Sequence, residues 1–278
     1  MKYSMMTYTI ARQATDGKPD MVDICRFAKE LGIDAMDQCG LYGYDPKEIR
    51  RIADDYDIKI ICYTFSANLN FPDAESRKPG LEAIREGLEI AHILGAPIIM
   101  LPIGGKKELT RQQSRKNVIE GLKEAAKLAT AANIKLSAEH FTGVDAPFLT
   151  SSDMKEAIEQ IPDFYVTYDA GNVLIAGENP VDSFLKTKNK IIHAHFKDWT
   201  HAQTDGCEVG AARKGLDGKF YCAALIGEGL VDYPRVLQTM KDAGYDGYIN
   251  IEYEGNKYSA KQAVRLALDY LRQVEQNL

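Results

Sequence analysis

Short apolar runs alternate with longer amphipathic stretches from one end of this chain to the other. The runs cover residues 3–9, 35–38, 58–64, 97–101, 134–138, 165–168, 191–196 and 248–251, and their β-branched and aromatic content reads as buried strands. Between and after them, helical periodicity covers 20–31, 46–56, 79–94, 110–132, 152–160, a short piece near 181–185, 233–243 and 260–274. Punctuation agrees with the pattern: Asp45 and Pro46 open one helix as cap and first residue, and Gly95 closes another. A strand that is always followed by a helix must pair in parallel, and eight such units close into a (β/α)8 TIM barrel.

The chain has 278 residues, close to the roughly 250 that such a barrel uses, and no repeat, linker or low-complexity tract divides it. A single TIM-barrel domain over residues 1–278 is therefore expected. A doubly wound open sheet would carry a glycine-rich turn after its first strand, and residues 7–13 have none. The other glycine cluster, residues 103–107, lacks the spacing of a phosphate loop and reads as a rim turn.

Composition narrows the partners. Apolar residues make up 45% of the chain, enough for a full core, and the net charge of −6 lacks the basic excess of a nucleic-acid footprint. A small-molecule substrate is expected, with no nucleic acid and no membrane. The five cysteines, Cys25, Cys39, Cys62, Cys207 and Cys222, form no C-x-x-C pair and read as separate reduced thiols. With no apolar leader at the N-terminus and no run long enough to span a bilayer, a cytoplasmic location is expected.

Active sites of such barrels lie where strands end and loops begin. Four residues with chemistry to offer occupy those positions on strands five to eight: Glu139 in KLSAEHF, Asp169 in YVTYDAGN, His195 in IIHAHFKDW and Glu252 in YINIEYEG. Three carboxylates and one imidazole form a hard, oxygen-rich ligand set. It suits one divalent ion, Mn²⁺ first, then Mg²⁺ or Co²⁺, and can tolerate Zn²⁺.

The segments AEHF, YDAGN, HAHFKDW and NIEYEG, in that order, resemble the xylose-isomerase-like TIM-barrel superfamily of sugar isomerases and epimerases. In pattern they are similar to the ketose 3-epimerases, the hydroxypyruvate isomerases and the inosose-handling enzymes. The resemblance implies one divalent cation held by Glu139, Asp169, His195 and Glu252, with the two glutamates also acting as acid and base. One would remove a proton beside a carbonyl to form an enediolate, and the other would return a proton on the opposite face. The α-proton of a neutral sugar is weakly acidic, so the charge that develops must be stabilised electrostatically.

The chain departs from the ketose 3-epimerase pattern three residues after the strand-six aspartate, where Asn172 replaces a histidine that would contact substrate. An amide can hydrogen-bond an oxygen but cannot carry a proton. Asp145 stands six residues after Glu139, where those epimerases place another carboxylate. Asn172, Lys197, His140 and Arg213 are the expected substrate contacts, although His140, which follows Glu139, should point toward the helical layer or into the loop. Lys197 would meet an enolate or a carboxylate, or pair with Asp198. His193 shares the face of His195 one layer deeper. Tyr8, Gln38, Tyr63 and Ser66 stand near the first three strand ends as sugar-hydroxyl contacts, and His92 reads as a packed helix residue.

Residues 199–229 form the longest expected loop, placed over the site as a lid, with His201, Arg213, Lys214 and the turn residue Glu228. The leading function is isomerisation or epimerisation of a sugar, sugar acid or cyclitol. An inosose or dehydroshikimate dehydratase would use the same site, with His201 as acid to the leaving hydroxyl. An endonuclease-IV-like repair enzyme would need more histidines and a basic groove. A homo-oligomer is compatible with the sequence.

Overall fold

In the computed structural model, which describes residues 1–203, 206–207 and 212–278, eight parallel strands close into a barrel. They are β1 (Lys2–Met6), β2 (Ala35–Cys39), β3 (Lys59–Thr64), β4 (Ile98–Leu101), β5 (Lys135–Glu139), β6 (Phe164–Asp169), β7 (Ile191–Phe196) and β11 (Tyr248–Ile251), and β11 pairs with both β7 and β1. The helices are α1 (Thr7–Ala11), α2 (Met21–Glu30), α3 (Pro46–Asp55), α4 (Ala74–Leu94), α5 (Arg111–Ala131), α6 (Ser151–Gln160), α7 (Ala170–Ile175), α8 (Pro180–Thr187), α9 (Tyr233–Asp242) and α10 (Ala260–Gln276). Asp45 caps α3 with Pro46 in its first turn, and Gly95 closes α4 at φ 70°. The expected (β/α)8 fold is the one observed.

Two short helices were not expected. The first strand stops at Met6, and residues 7–11, read as the rest of that strand and its loop, turn into α1. Helix α7 follows β6 at once, because the Asp169 side chain accepts a hydrogen bond from the Asn172 N–H and so caps it.

Apolar side chains fill the layer between barrel and helices, from Ile24 and Ile49 on one side to Val236 and Leu268 on the other. Inside the barrel the picture differs. Alternation along the strands and the ladder register put Ser4, Asp37, Thr64, Ser137, Thr167, His193, His195 and Asn250 on the inner face, all buried. Several bond one another: Ser4 donates to Asn250 Oδ1 at 3.1 Å, and the Ser137 and Thr167 hydroxyls lie 2.9 Å apart. A polar, hydrogen-bonded interior leads up to the mouth.

The expected lid is a small antiparallel sheet. Strands β8 (Asp198–Ala202), β10 (Phe220–Ala224) and β9 (Arg213–Lys214) pair in the order β8–β10–β9, and Trp199 and Tyr221 pack with Ile175 beneath them. Residues 204, 205 and 208–211 of the expected loop lie outside the described residues. Cys207 and Cys222, read as separate thiols, are joined by a disulfide. The return of the chain through β10 brings them together across 15 residues, which no local spacing announces, and cysteine usage no longer argues for a reducing compartment. Among the described residues no helix is long and apolar enough to cross a membrane.

Asp198 anchors this sheet to the barrel. Its buried carboxylate accepts backbone N–H groups from Trp199 (2.9 Å) and from Gly227, Gly229 and Val231 (each 3.1 Å). A β-carbon on Gly229 would lie 2.2 Å from Asp198 Oδ1, so the turn needs glycine there. Replacing Asp198 with Ala leaves several buried donors unpaired. A loss of about 2–4 kcal/mol is expected in denaturant titration, with faster hydrogen exchange over residues 227–231. Unchanged stability and protection would refute this anchoring role.

Candidate functional site

At the ends of neighbouring strands β5, β6, β7 and β11 stand Glu139 and Asp169, the last residues of theirs, His195, the last but one of β7, and Glu252, one residue beyond β11. Asp169 pairs with His195 across the β6–β7 ladder, so their side chains lie side by side. One ligand atom from each of the four residues lies within 4.8 Å of the others, and all four residues are buried.

Unsatisfied atoms mark the centre of the cluster. Glu139 Oε2, Asp169 Oδ2, His195 Nδ1 and Glu252 Oε2 are buried, and none makes a hydrogen bond. Buried polar atoms normally have partners, so four orphans aimed at one point fit a cation. His195 Nδ1 stands 3.3 Å from Glu139 Oε2 and 3.6 Å from Glu252 Oε2, and the Lys197 ammonium comes as near to Glu252 Oε2 and Asp169 Oδ2. These residues could hold one metal ion.

Lys197 adds a cation of the protein's own. Its buried ammonium lies 3.0 Å from Glu252 and 3.3 Å from Asp169, and it donates a 2.8 Å hydrogen bond to Glu254. It makes no pair with Asp198, because Asp198 is committed to the backbone of the β8 turn. Room for Lys197 comes from Gly171 of YDAGN, where a β-carbon would sit 2.4 Å from the Lys197 carbonyl oxygen and 2.7 Å from its Cγ.

The environment moves the carboxyl groups apart. Burial, with Glu254 beside it, pushes Glu252 up to about 8 against the pull of Lys197. Burial likewise raises Asp169 to about 6. Burial would raise Glu254 too, but Lys197 and Arg213 outweigh it and hold that carboxyl at about 2. For His195, burial disfavours the charged ring, yet Asp37 and Glu139 prevail and raise its pKa well above the usual value.

A cavity of about 230 Å³ opens onto this cluster and is lined by Glu139, Asn172, Lys197, Glu252, Glu254 and Arg213, with Tyr8, Cys39, Thr64 and Pro102 facing them. Asn172 is fixed by donating through Nδ2 to the His140 carbonyl at 2.7 Å, which leaves its Oδ1 without a partner. Arg213 reaches in from β9, 3.6 Å from Glu254.

Several expected contacts lie elsewhere. His140 does not line the cavity; its ring is buried edge-on against Tyr168, where burial lowers its pKa to about 4. A residue that follows an inward-facing strand end turns outward, which is why it meets the helical layer. Gln38, Tyr63 and Ser66 also stay out of the lining: Gln38 bonds the Gly40 carbonyl, Tyr63 stacks on Phe65, and Ser66 is exposed. His201 packs its ring on Tyr221 and lines a different cleft beside the disulfide. His92 is exposed on α4, not packed. Glu228 pairs outward with Lys257 and Tyr258.

Two residues of the site escaped sequence reasoning. Glu254 carries a legible signal, since it stands two residues after Glu252 and so on the same side. Asp37 is a charged residue in the middle of the short β2 run, on its buried face, whereas attention fell on its neighbour Gln38.

The family model of the xylose isomerase-like TIM barrel matches residues 25–274. The chain belongs to that family. Among curated relatives, the inosose dehydratase of Lacticaseibacillus casei is 23% identical over 258 residues, covering 84% of this chain and 85% of that protein. Among solved structures of the same fold, a D-psicose 3-epimerase with D-tagatose from Clostridium cellulolyticum H10 superposes with a TM-score of 0.75 at 17% identity, covering 99% of each chain. An IOLI protein with a bound zinc atom gives a TM-score of 0.79 at 15% identity, covering 100% of this chain and 99% of the other. Proteins named as epimerases and as dehydratases are thus both among those this chain is similar to.

Titration of the metal-free protein with Mn²⁺ or Zn²⁺ should find one ion per chain. His195→Ala and Asp169→Asn should each weaken uptake at least about tenfold, with far-UV circular dichroism unchanged, because each removes one ligand at the rim. Undiminished uptake in both variants would rule out this ligand set.

Proposed function

We propose that the protein is a divalent-metal-dependent isomerase or epimerase of a sugar, sugar acid or cyclitol that works through an enediolate. The observation that carries this reading is the pair Glu139 and Glu252, brought from the two ends of the four-strand arc to within 3.6 Å of one atom, His195 Nδ1, each with a buried oxygen free of hydrogen bonds. Two carboxylates so placed can remove a proton on one side of a carbon and return one on the other.

A divalent ion held by Glu139, Asp169, His195 and Glu252 would polarise the substrate carbonyl and stabilise the negative charge that develops on its oxygen. The protein's own groups do the rest. One glutamate takes the proton from the carbon beside the carbonyl. The Lys197 ammonium, held at the rim by Glu252 and Glu254, can donate a hydrogen bond to the oxyanion. The free Asn172 Oδ1 accepts from a substrate hydroxyl, and the second glutamate returns the proton.

Charge supports a substrate without a phosphate. Glu139, Asp169, Glu252 and Glu254 face Lys197 and Arg213, and Arg213 is already engaged with Glu254. A divalent ion brings such a mouth to neutrality and leaves no positive surplus for an anion. Lys214, next to Arg213 on β9, is exposed.

Dehydration is the second reading, favoured by the same lysine. An enediolate with a β-hydroxyl within reach of the Lys197 ammonium could expel it as water, a role for which His201 does not line the cavity. The name of the Lacticaseibacillus casei relative agrees with this alternative.

Incubating the Mn²⁺-supplemented protein with ketoses, inososes and 3-dehydro acids in D₂O, followed by NMR, separates the two. Deuterium at one carbon with every hydroxyl retained is the expected result, whereas loss of water identifies a dehydratase. Glu139→Gln and Glu252→Gln should each lower turnover by about 10²- to 10⁴-fold at saturating Mn²⁺. Near-native exchange in either variant would place the base elsewhere.

A further inference from the structure

Beneath the candidate cation site, Asp37 of β2 is fully buried and makes three contacts across the barrel. Its Oδ2 lies 3.0 Å from His195 Nε2 and 3.1 Å from His193 Nε2, and its Oδ1 accepts from the Thr64 hydroxyl at 2.8 Å. The two imidazole rings stand edge to face, 5.0 Å apart at 86°. An ionised carboxylate has no proton to give, so each of these ring nitrogens must carry the hydrogen. For His195 this leaves Nδ1, the orphaned atom aimed between Glu139 and Glu252, as the nitrogen that can offer a lone pair.

We infer that Asp37 is the positioning residue of the site: it holds the Nε2–H of His195 on the barrel floor and so presents Nδ1 to a cation at the mouth. The inference rests on the reading of Glu139, Asp169, His195 and Glu252 as a cation site. Carboxylates that orient a metal-binding imidazole in this way fix both its tautomer and its ring direction. Thr64 supports the arrangement from β3 by fixing the second carboxylate oxygen, and His193 shares the first.

Asp37, Cys62 and His193 also lie close enough to be considered as metal ligands themselves. The contacts argue against that use. Both carboxylate oxygens already accept hydrogen bonds, and the Cys62 sulfur lies 3.9 Å from the Thr64 hydroxyl. Of their polar atoms only His193 Nδ1 is left without a partner, while its Nε2 is already held by Asp37.

The test uses the full chain with ¹⁵N-labelled histidine, metal-free and loaded with Zn²⁺, in wild type, Asp37→Asn, Asp37→Ala and Thr64→Val. In wild type, the His195 Nε2 should carry a slowly exchanging, low-field proton in both states, and Zn²⁺ should shift Nδ1 alone. Asp37→Ala should lose that proton signal and Asp37→Asn, which keeps a neutral acceptor, should shift it upfield, both binding Zn²⁺ about 10- to 100-fold more weakly, with Thr64→Val weakening it less. Wild-type affinity and an unchanged Nε2–H signal in both Asp37 variants would overturn the inference, as would two Zn²⁺ ions per wild-type chain, since Asp37 would then be a ligand. If wild type binds no Zn²⁺, the cation-site reading fails, and the metal-free spectra still decide whether Asp37 holds the ring. Should the Asp37 variants not fold, Thr64→Val decides: an unmoved Nε2–H signal and affinity would refute the arrangement.

Discussion

Carboxylates buried side by side repel one another, and this site holds three of them, with the half-buried Glu254 beside them, at the mouth of a barrel. Two like charges about 4 Å apart interact by roughly 4 kcal/mol even at an effective dielectric constant of 20, so such a cluster persists only with cations inside it. Lys197 supplies one, against Asp169, Glu252 and Glu254, and the His195 ring faces Glu139 and Glu252. Much of the surrounding structure serves to keep Lys197 in place. Gly171 leaves space for its backbone and stem, Tyr233 donates to its carbonyl at 2.6 Å, and Asp198, next in sequence, fastens the following turn.

The barrel and the convergence of Glu139, Asp169, His195 and Glu252 were legible in the sequence because both follow from periodicity. A strand end is a definite place in a closed parallel barrel, and four such ends on successive units must share one rim. What periodicity does not encode was missed. Asp37 matters through partners more than 150 residues away, which a reading of local pattern cannot reach. The β8–β10 sheet and the Cys207–Cys222 disulfide depend on a chain reversal without a short turn signature, so the segment read as loop. His140 failed for the opposite reason: adjacency to Glu139 suggested the site, although alternation turns neighbouring side chains to opposite faces.

Register carries the geometry. Asp169 stands opposite His195, Thr167 opposite both Glu139 and His193, and Asn250 opposite His195. A slip of one residue in any of these ladders would turn a ligand from the mouth into the helical layer. The polar pairs inside the barrel, Ser4 with Asn250 and Ser137 with Thr167, oppose such a slip, because each would leave buried groups unpaired.

The cavity has two walls of different origin. Glu139, Asn172, Lys197, Glu252 and Glu254 come from residues 139–254, whereas Met6, Tyr8, Cys39, Thr64 and Pro102 come from the first 102. Apart from Asp37 and its Thr64 support, the second wall carries no charge into the cluster, and its members are small, apolar or hydroxylated. The charged lining is therefore written in one stretch of the chain, which also supplies Phe141, Thr142 and Asn172, and the first stretch adds only uncharged side chains. Substitutions in the N-terminal wall can change the outline of the cavity while the charged arc opposite keeps its geometry.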